Sequence, residues 1–365
     1  MYAAAVARVL LFSLYLLPCY AHLPVFPKST EASKPYKLTD IDTKSYGVYG
    51  ELKSEDIVWL EVEAEKGWDL TVSLQRNKVE AVYDVAIWGP SLNNVSCGNE
   101  NWFGWTHSVG NKHHFTRNLT DLPPSVLSAI GSSEGFALHG DGSEPSHFEA
   151  FGVGVYWPLA GCRDTFPATG TYRMALVNPK EDTVHFSLGV GMEESFSVLE
   201  LLLMPFVILD TFVWSGRSLE TVLGIFLISM ALVYTFKIAS LQRNSYTLLT
   251  RTVAQTIRTV TLHLIWVCAA AFFSSGISFV FQLIYCSSLK PDLGGMIWVP
   301  LLVHITIPIL IALLVLFFYD PRLSIWWKLL FLVGGLYMLF IGWFSFLVFP
   351  LLYVLSLIVQ LLLGP

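Results

Sequence analysis

Once past Glu220, the chain carries only two acidic residues, Asp292 and Asp320, through to Pro365. Long apolar runs follow one another there with short polar breaks, at 219–241, 259–285, 297–319 and from 329 onward. Runs of about twenty apolar residues are long enough to cross ~30 Å of hydrocarbon. A chain that is 54% hydrophobic and 14% charged is also too apolar for a soluble protein of 365 residues. The acidic excess behind the formal charge of −6 therefore lies in the first half, and no basic face suggests nucleic acid as a partner.

The polar first half opens on Arg8, the apolar run VLLFSLYLL and Pro18-Cys19-Tyr20-Ala21. This is the pattern of a secretory signal peptide, residues 1–21, with cleavage expected after Ala21. Of five cysteines, Cys19 leaves with that segment, and Cys268 and Cys286 lie in or beside an apolar run. Cys97 and Cys162 remain. In an oxidising compartment they are expected to pair, the alternative being two buried thiols. Two N-x-S/T triplets, at Asn94 and Asn118, mark expected glycosylation sites in the same half.

Residues 22–195 read as an all-β ectodomain. After a Pro- and Lys-rich lead-in, Val58, Leu60, Val62 and Ala64 alternate with Trp59, Glu61 and Glu63. Leu70, Val72 and Leu74 follow, then Tyr83, Val85 and Ile87, and the pattern returns at 151–157, 172–176 and 184–190. Short period-two runs bounded by Gly, Pro and Asn predict an antiparallel β-sandwich, with no helix-period segment among them. The stretches IVWLEVEAEKGWDLTVSLQ, YDVAIWGP and ATGTYRMALVNP together resemble the pre-peptidase C-terminal type of β-sandwich. That resemblance covers about 130 residues and implies an accessory or binding module rather than an enzyme. A comparable domain ahead of a membrane bundle is similar to an arrangement in uncharacterised multi-pass membrane proteins.

The section 91–150 departs from the pattern and is too long for an ordinary connection, which points to function. It holds His107, His113, His114, His139 and His147 near Asp141, Glu144 and Glu149. Imidazole and carboxylate groups suit zinc or copper, and His22, as a new N-terminus, adds an amino group beside an imidazole. The metal set considered is thus His22, His107, His113 and His114, against the plainer reading of a solvated histidine-rich loop. No nucleophile elbow, phosphate loop or dinucleotide fingerprint occurs, so no catalytic residue and no cofactor is assigned.

The loops fix the expected orientation. Lys237, Arg243, Arg251, Arg258, Arg322 and Lys328 follow the first and third apolar runs, and only Arg217 and Lys290 fall on the other side. The larger basic set is expected in the cytosol. With the ectodomain outside, residues 196–218 cannot also cross completely. They carry Glu200, Asp210 and Pro205, and are expected to lie in the outer interface. A full crossing is the competing reading. Residues 219–365 are expected to form an α-helical transmembrane bundle of four or five spans, whose end is a kinked helix, a re-entrant tail or a fifth span. A seven-helix receptor with a β-rich lumenal domain is similar in arrangement but needs more segments.

Inside the bundle, Asp, Glu, Lys and Arg are absent away from the ends, which argues against ion-coupled transport. His263 and His304 fall in opposite leaflets and cannot share a haem. Pro308 cannot donate to the His304 carbonyl, so a kink or hinge is expected there. Ser274-Ser275-Gly276 reads as a close-packing patch. The expected role is non-enzymatic recognition of an extracellular or lumenal ligand or protein, with membrane lipids as the other partner. Copper or zinc handling is the alternative, and a small pore or carrier the third. The expected compartment is the secretory-pathway membrane, by default the plasma membrane.

Overall fold

The structure, a computed structural model, describes residues 23–28, 31–77, 83–97, 114–116, 119–120, 122–139, 146–149, 154–179, 182–191, 197–243, 253–289, 291, 297–298, 300–341 and 348–363. The expected signal segment, His22, His107, His113 and Asn118 lie outside the described residues.

The strands are β1 Leu23–Val25, β2 Tyr36–Leu38, β3 Tyr46–Leu52, β4 Ile57–Ala64, β5 Asp69–Arg76 and β6 Asp84–Trp88. They continue as β7 His114–Thr116, β8 Gly135–His139, β9 His147–Glu149, β10 Gly154–Thr165, β11 Gly170–Val177 and β12 Val184–Val190. Two six-stranded sheets result, in the orders β1-β3-β12-β5-β10-β9 and β2-β4-β11-β6-β8-β7. Alternation explains their packing, because every second residue of a strand faces the same way. Val58, Leu60, Val62 and Ala64 of one sheet and Leu70, Val72 and Leu74 of the other enter a single buried cluster, with Tyr83, Val85 and Ile87.

Two expectations need correction. The sheets are mixed rather than wholly antiparallel, since β1 runs parallel to β3 and β2 parallel to β4. The lead-in supplies both of these three-residue edge strands, too short to show a period. A helix also interrupts the β pattern: α1, Pro124–Ile130, starts at a proline, whose missing N–H costs nothing in a first turn.

Cys97 and Cys162 form the expected disulfide, with Cα atoms 4.6 Å apart. Tyr172 ties another corner: its hydroxyl donates to the Ala168 carbonyl at 2.6 Å and lies 3.1 Å from that of Pro90. Tyr83, fully buried, accepts from the Gln75 amide at 3.0 Å and donates to the Ser187 carbonyl at 2.5 Å.

The helical part comprises α2 Val198–Trp214, α3 Leu219–Arg243, α4 Val253–Ser288, a π-helical turn Pro300–Thr306 leading into α5 Ile307–Phe318, α6 Ile325–Ile341 and α7 Val348–Leu362. Among the described residues three segments are long and apolar enough to cross a membrane, Leu219–Ser240, Gln255–Ser288 and Leu301–Phe318. α6 and α7 are shorter apolar helices that pack on each other, with Gly335 against Tyr353 and Lys328 reaching the Gln360 carbonyl at 3.5 Å. The first contact is near their middle and the second joins the start of one to the end of the other, so they run antiparallel. Pro350 lies within α7. It sits in the first turn of α7, where no N–H is needed.

Pro308 behaves similarly. Instead of a bare kink, the turn before it widens to π-helical geometry, and Thr306 Oγ1 donates to the Leu301 carbonyl at 2.6 Å. His304 stacks on Phe279 with ring centroids 4.5 Å apart. Gly276 lets α5 approach α4, because a Cβ there would lie 2.6 Å from Ile309. Lys237, Arg258 and Lys328 gather at one end of the helices, reaching the carbonyls of Leu316, Leu363 and Gln360 near helix C-termini.

The β region meets the other end. α2 begins with a capping box at Ser197 and Glu200, and Glu200 also holds Lys44 at 3.0 Å. At its far end Trp214 Nε1 donates to the Gly50 carbonyl at 3.1 Å, while Asn77 Nδ2 donates to the Trp214 carbonyl at 2.9 Å. From Lys44 to Gly50 a strand advances ~20 Å; from Glu200 to Trp214 a helix advances ~21 Å. The match means that α2 lies alongside β3. Just beyond its end Gly216 has a φ of 84°, which lets the chain turn back. Arg217 then stacks on Phe212 at 4.0 Å and donates to Gln282 of α4 at 3.0 Å.

Candidate functional site

The second sheet carries three cross-strand rows on its face away from the shared core. Lys37, Glu61, Arg173, Trp88 and Gly135 stand opposite one another across β2, β4, β11, β6 and β8. Two residues along, Trp59, Ala175, Ala86 and Ala137 form the second row. Its small side chains make a platform on which Leu122 and α1, through Val126 and Ile130, pack. The third row is Ile57, Val177, Asp84 and His139.

Glu61, Arg173 and Trp88 of the first row line an open groove of about 740 Å³, within the range of small-molecule sites. Pro90 with Ser91, and Ser132 to Glu134 just after α1, supply its walls. Glu61 is buried and takes hydrogen bonds from Lys37 Nζ at 2.9 Å and Arg173 Nε at 3.2 Å. The Lys37 ammonium holds its carboxyl below the usual carboxylate range against the opposing effect of burial, with Arg173 adding to the pull. The same bond raises the Lys37 ammonium. Glu134 accepts from Asn93 Nδ2 at 2.8 Å. Donors and acceptors thus line one groove with nearly balanced charge, which suits a polar ligand.

Gly135 lets β8 lie close against β6 beside the groove. A Cβ there would lie 2.6 Å from the Ile87 carbonyl and 2.8 Å from Trp88 Cβ. Trp88 is itself buried, packed edge-on against Trp59 at 6.0 Å.

In the third row His139 Nδ1 lies 3.1 Å from Asp84 Oδ1. Of the expected metal set only His114 is among the described residues, at the register position opposite His139 on β7. His147 is not with them; it belongs to β9 in the other sheet. His185 lies beside Trp214 and Glu51, and His263 meets Tyr234 at 2.9 Å. Among the described residues no group of three His, Cys, Asp or Glu converges to hold a metal. Asn94 ends a short helical turn, Leu92–Asn94.

Sequence reasoning missed the groove. Its available signal was the charge on the outward positions of two strands, Glu61 and Arg173, but their juxtaposition depends on β11 pairing with β4 across more than a hundred residues. The chain matches no family model, and no curated protein or solved structure matches it.

Proposed function

We propose that the chain is a multi-pass membrane protein whose β-sandwich, on the non-cytosolic side, recognises a polar extracellular or lumenal ligand without catalysing a reaction. The observation that carries this is the groove over Glu61 and Arg173 on the sheet away from the helices. The opposite sheet supplies the attachment: Val155 and Trp157 pack with Met204, Phe212, Val222 and Phe279. A ligand can therefore reach the groove while the other face stays anchored.

α2 supports the membrane placement. Leu199, Leu203, Phe206 and Val213 are exposed and recur at helical spacing on one stripe, whereas Met204, Ile208 and Phe212 are buried. Asp210 falls on the exposed stripe. That suits a helix lying in the outer interface, where a carboxylate reaches headgroup water, and opposes a full crossing. In this arrangement the signal segment is removed, and Asn94 and Asn118 carry glycans.

A photo-crosslinking residue at Ser132 tests the recognition role in cells. The expected result is a discrete adduct from Ser132, lost on Arg173→Ala and not seen from the exposed turn at Lys66. No adduct from Ser132, or one indifferent to Arg173, contradicts it.

A further inference from the structure

We propose that Lys328 and Arg258 hold the phosphate of an anionic phospholipid at the end of the helical bundle away from the β region. The two cations meet at the last turn of α7. Arg258 of α4 donates through Nη2 to the Leu363 carbonyl at 2.7 Å, and Lys328 of α6 lies 3.5 Å from the Gln360 carbonyl. Gln360 closes the arrangement, its Nε2 donating to the Arg258 carbonyl at 2.8 Å and to Thr261 Oγ1 at 2.5 Å. Three helices thus bring two like charges and a helix C-terminus to one place.

Lys328 supplies the second observation. It is only 3% exposed, yet the contact to Gln360 is at the outer limit of a hydrogen bond. An ammonium has three donors, and a buried one is costly unless paired. Among the described residues no carboxylate stands within ion-pair distance of it. Asp320, the one acid at this end among them, is exposed and accepts from the Arg322 amide at 2.7 Å. With no carboxylate of the described residues in reach, the buried ammonium suits an anion from outside the chain.

Its surroundings say which anion. Trp326 and Trp327, immediately before Lys328, are 76% and 49% exposed, as is Ile325 at 59%. Exposed tryptophans at the start of an apolar helix mark headgroup depth. A phosphate at that depth offers several acceptor oxygens to an ammonium and a guanidinium together. Basic pockets between helices at the membrane surface bind anionic headgroups in this manner.

The inference rests on the membrane reading proposed above. Its test is the melting temperature of the full chain in nanodiscs of phosphatidylcholine with increasing phosphatidylglycerol. The melting temperature is expected to rise with the anionic fraction, since a ligand that binds the folded state stabilises it. Lys328→Gln or Arg258→Gln is expected to weaken the apparent affinity about tenfold, the scale of one charged hydrogen bond. Lys237→Gln, a nearby cation outside the pair, is expected to keep the response. In phosphatidylcholine alone Lys328→Gln should melt no lower than the parent, which separates lost binding from lost folding. Equal responses in parent, Lys328→Gln and Arg258→Gln overturn the proposal, as does a full response to inorganic phosphate without anionic lipid. A chain indifferent to lipid charge contradicts this inference alone, whereas a chain recovered outside the discs contradicts the membrane reading with it.

Discussion

Trp214 joins the two halves of the chain, stacking on Tyr156 with ring centroids 5.9 Å apart while bonding to Gly50 and Asn77. Trp214→Ala is expected to cost about 3–5 kcal/mol, as for other buried large-to-small changes, read as a lower melting temperature in nanodiscs. Gly135→Ala places a methyl against Ile87 and Trp88 and is expected to cost about 1–3 kcal/mol by overpacking. Glu61 gives a pH signature. Its folded carboxyl is held low, so its stabilisation is present above the ordinary carboxylate value and is lost as pH falls through the folded value. Melting curves across the acid range are expected to lose part of their pH dependence in Glu61→Gln.

At the scale of elements, length decided what could be read from sequence. β4 and β12 alternate over eight and seven residues and stand where the pattern places them. β1 and β2 have only three residues each, and α1 has seven, so neither period can develop. Proline marked the neighbourhood of Pro308 but not its form, a π-helical turn just before it. The groove was not legible because its charges come from strands distant in sequence. The Cys97–Cys162 pair was, because the other cysteines lie in apolar runs or in the expected signal segment. Closing that loop is expected to contribute about 4 kcal/mol in the chain-entropy model. The Cys97→Ser/Cys162→Ser double variant should lose stability by that order in a denaturant titration.

Across the whole molecule the arrangement rests on α2. A helix tied to Lys44 at one end and to Gly50 at the other runs along the β region and does not lead away from it. α3 then departs from the β region, and Lys237, Arg258 and Lys328 collect at the far end of the helices. The most direct measurement is labelling of single cysteines, placed at Lys66 and at Arg322, with a membrane-impermeant maleimide in intact cells. Among the described residues the free thiols, Cys268 and Cys286, are buried, and a Cys19→Ser background leaves the signal to the introduced residue. The account predicts that position 66 is labelled without permeabilisation and position 322 only after it. Labelling of both positions from the same side would contradict it.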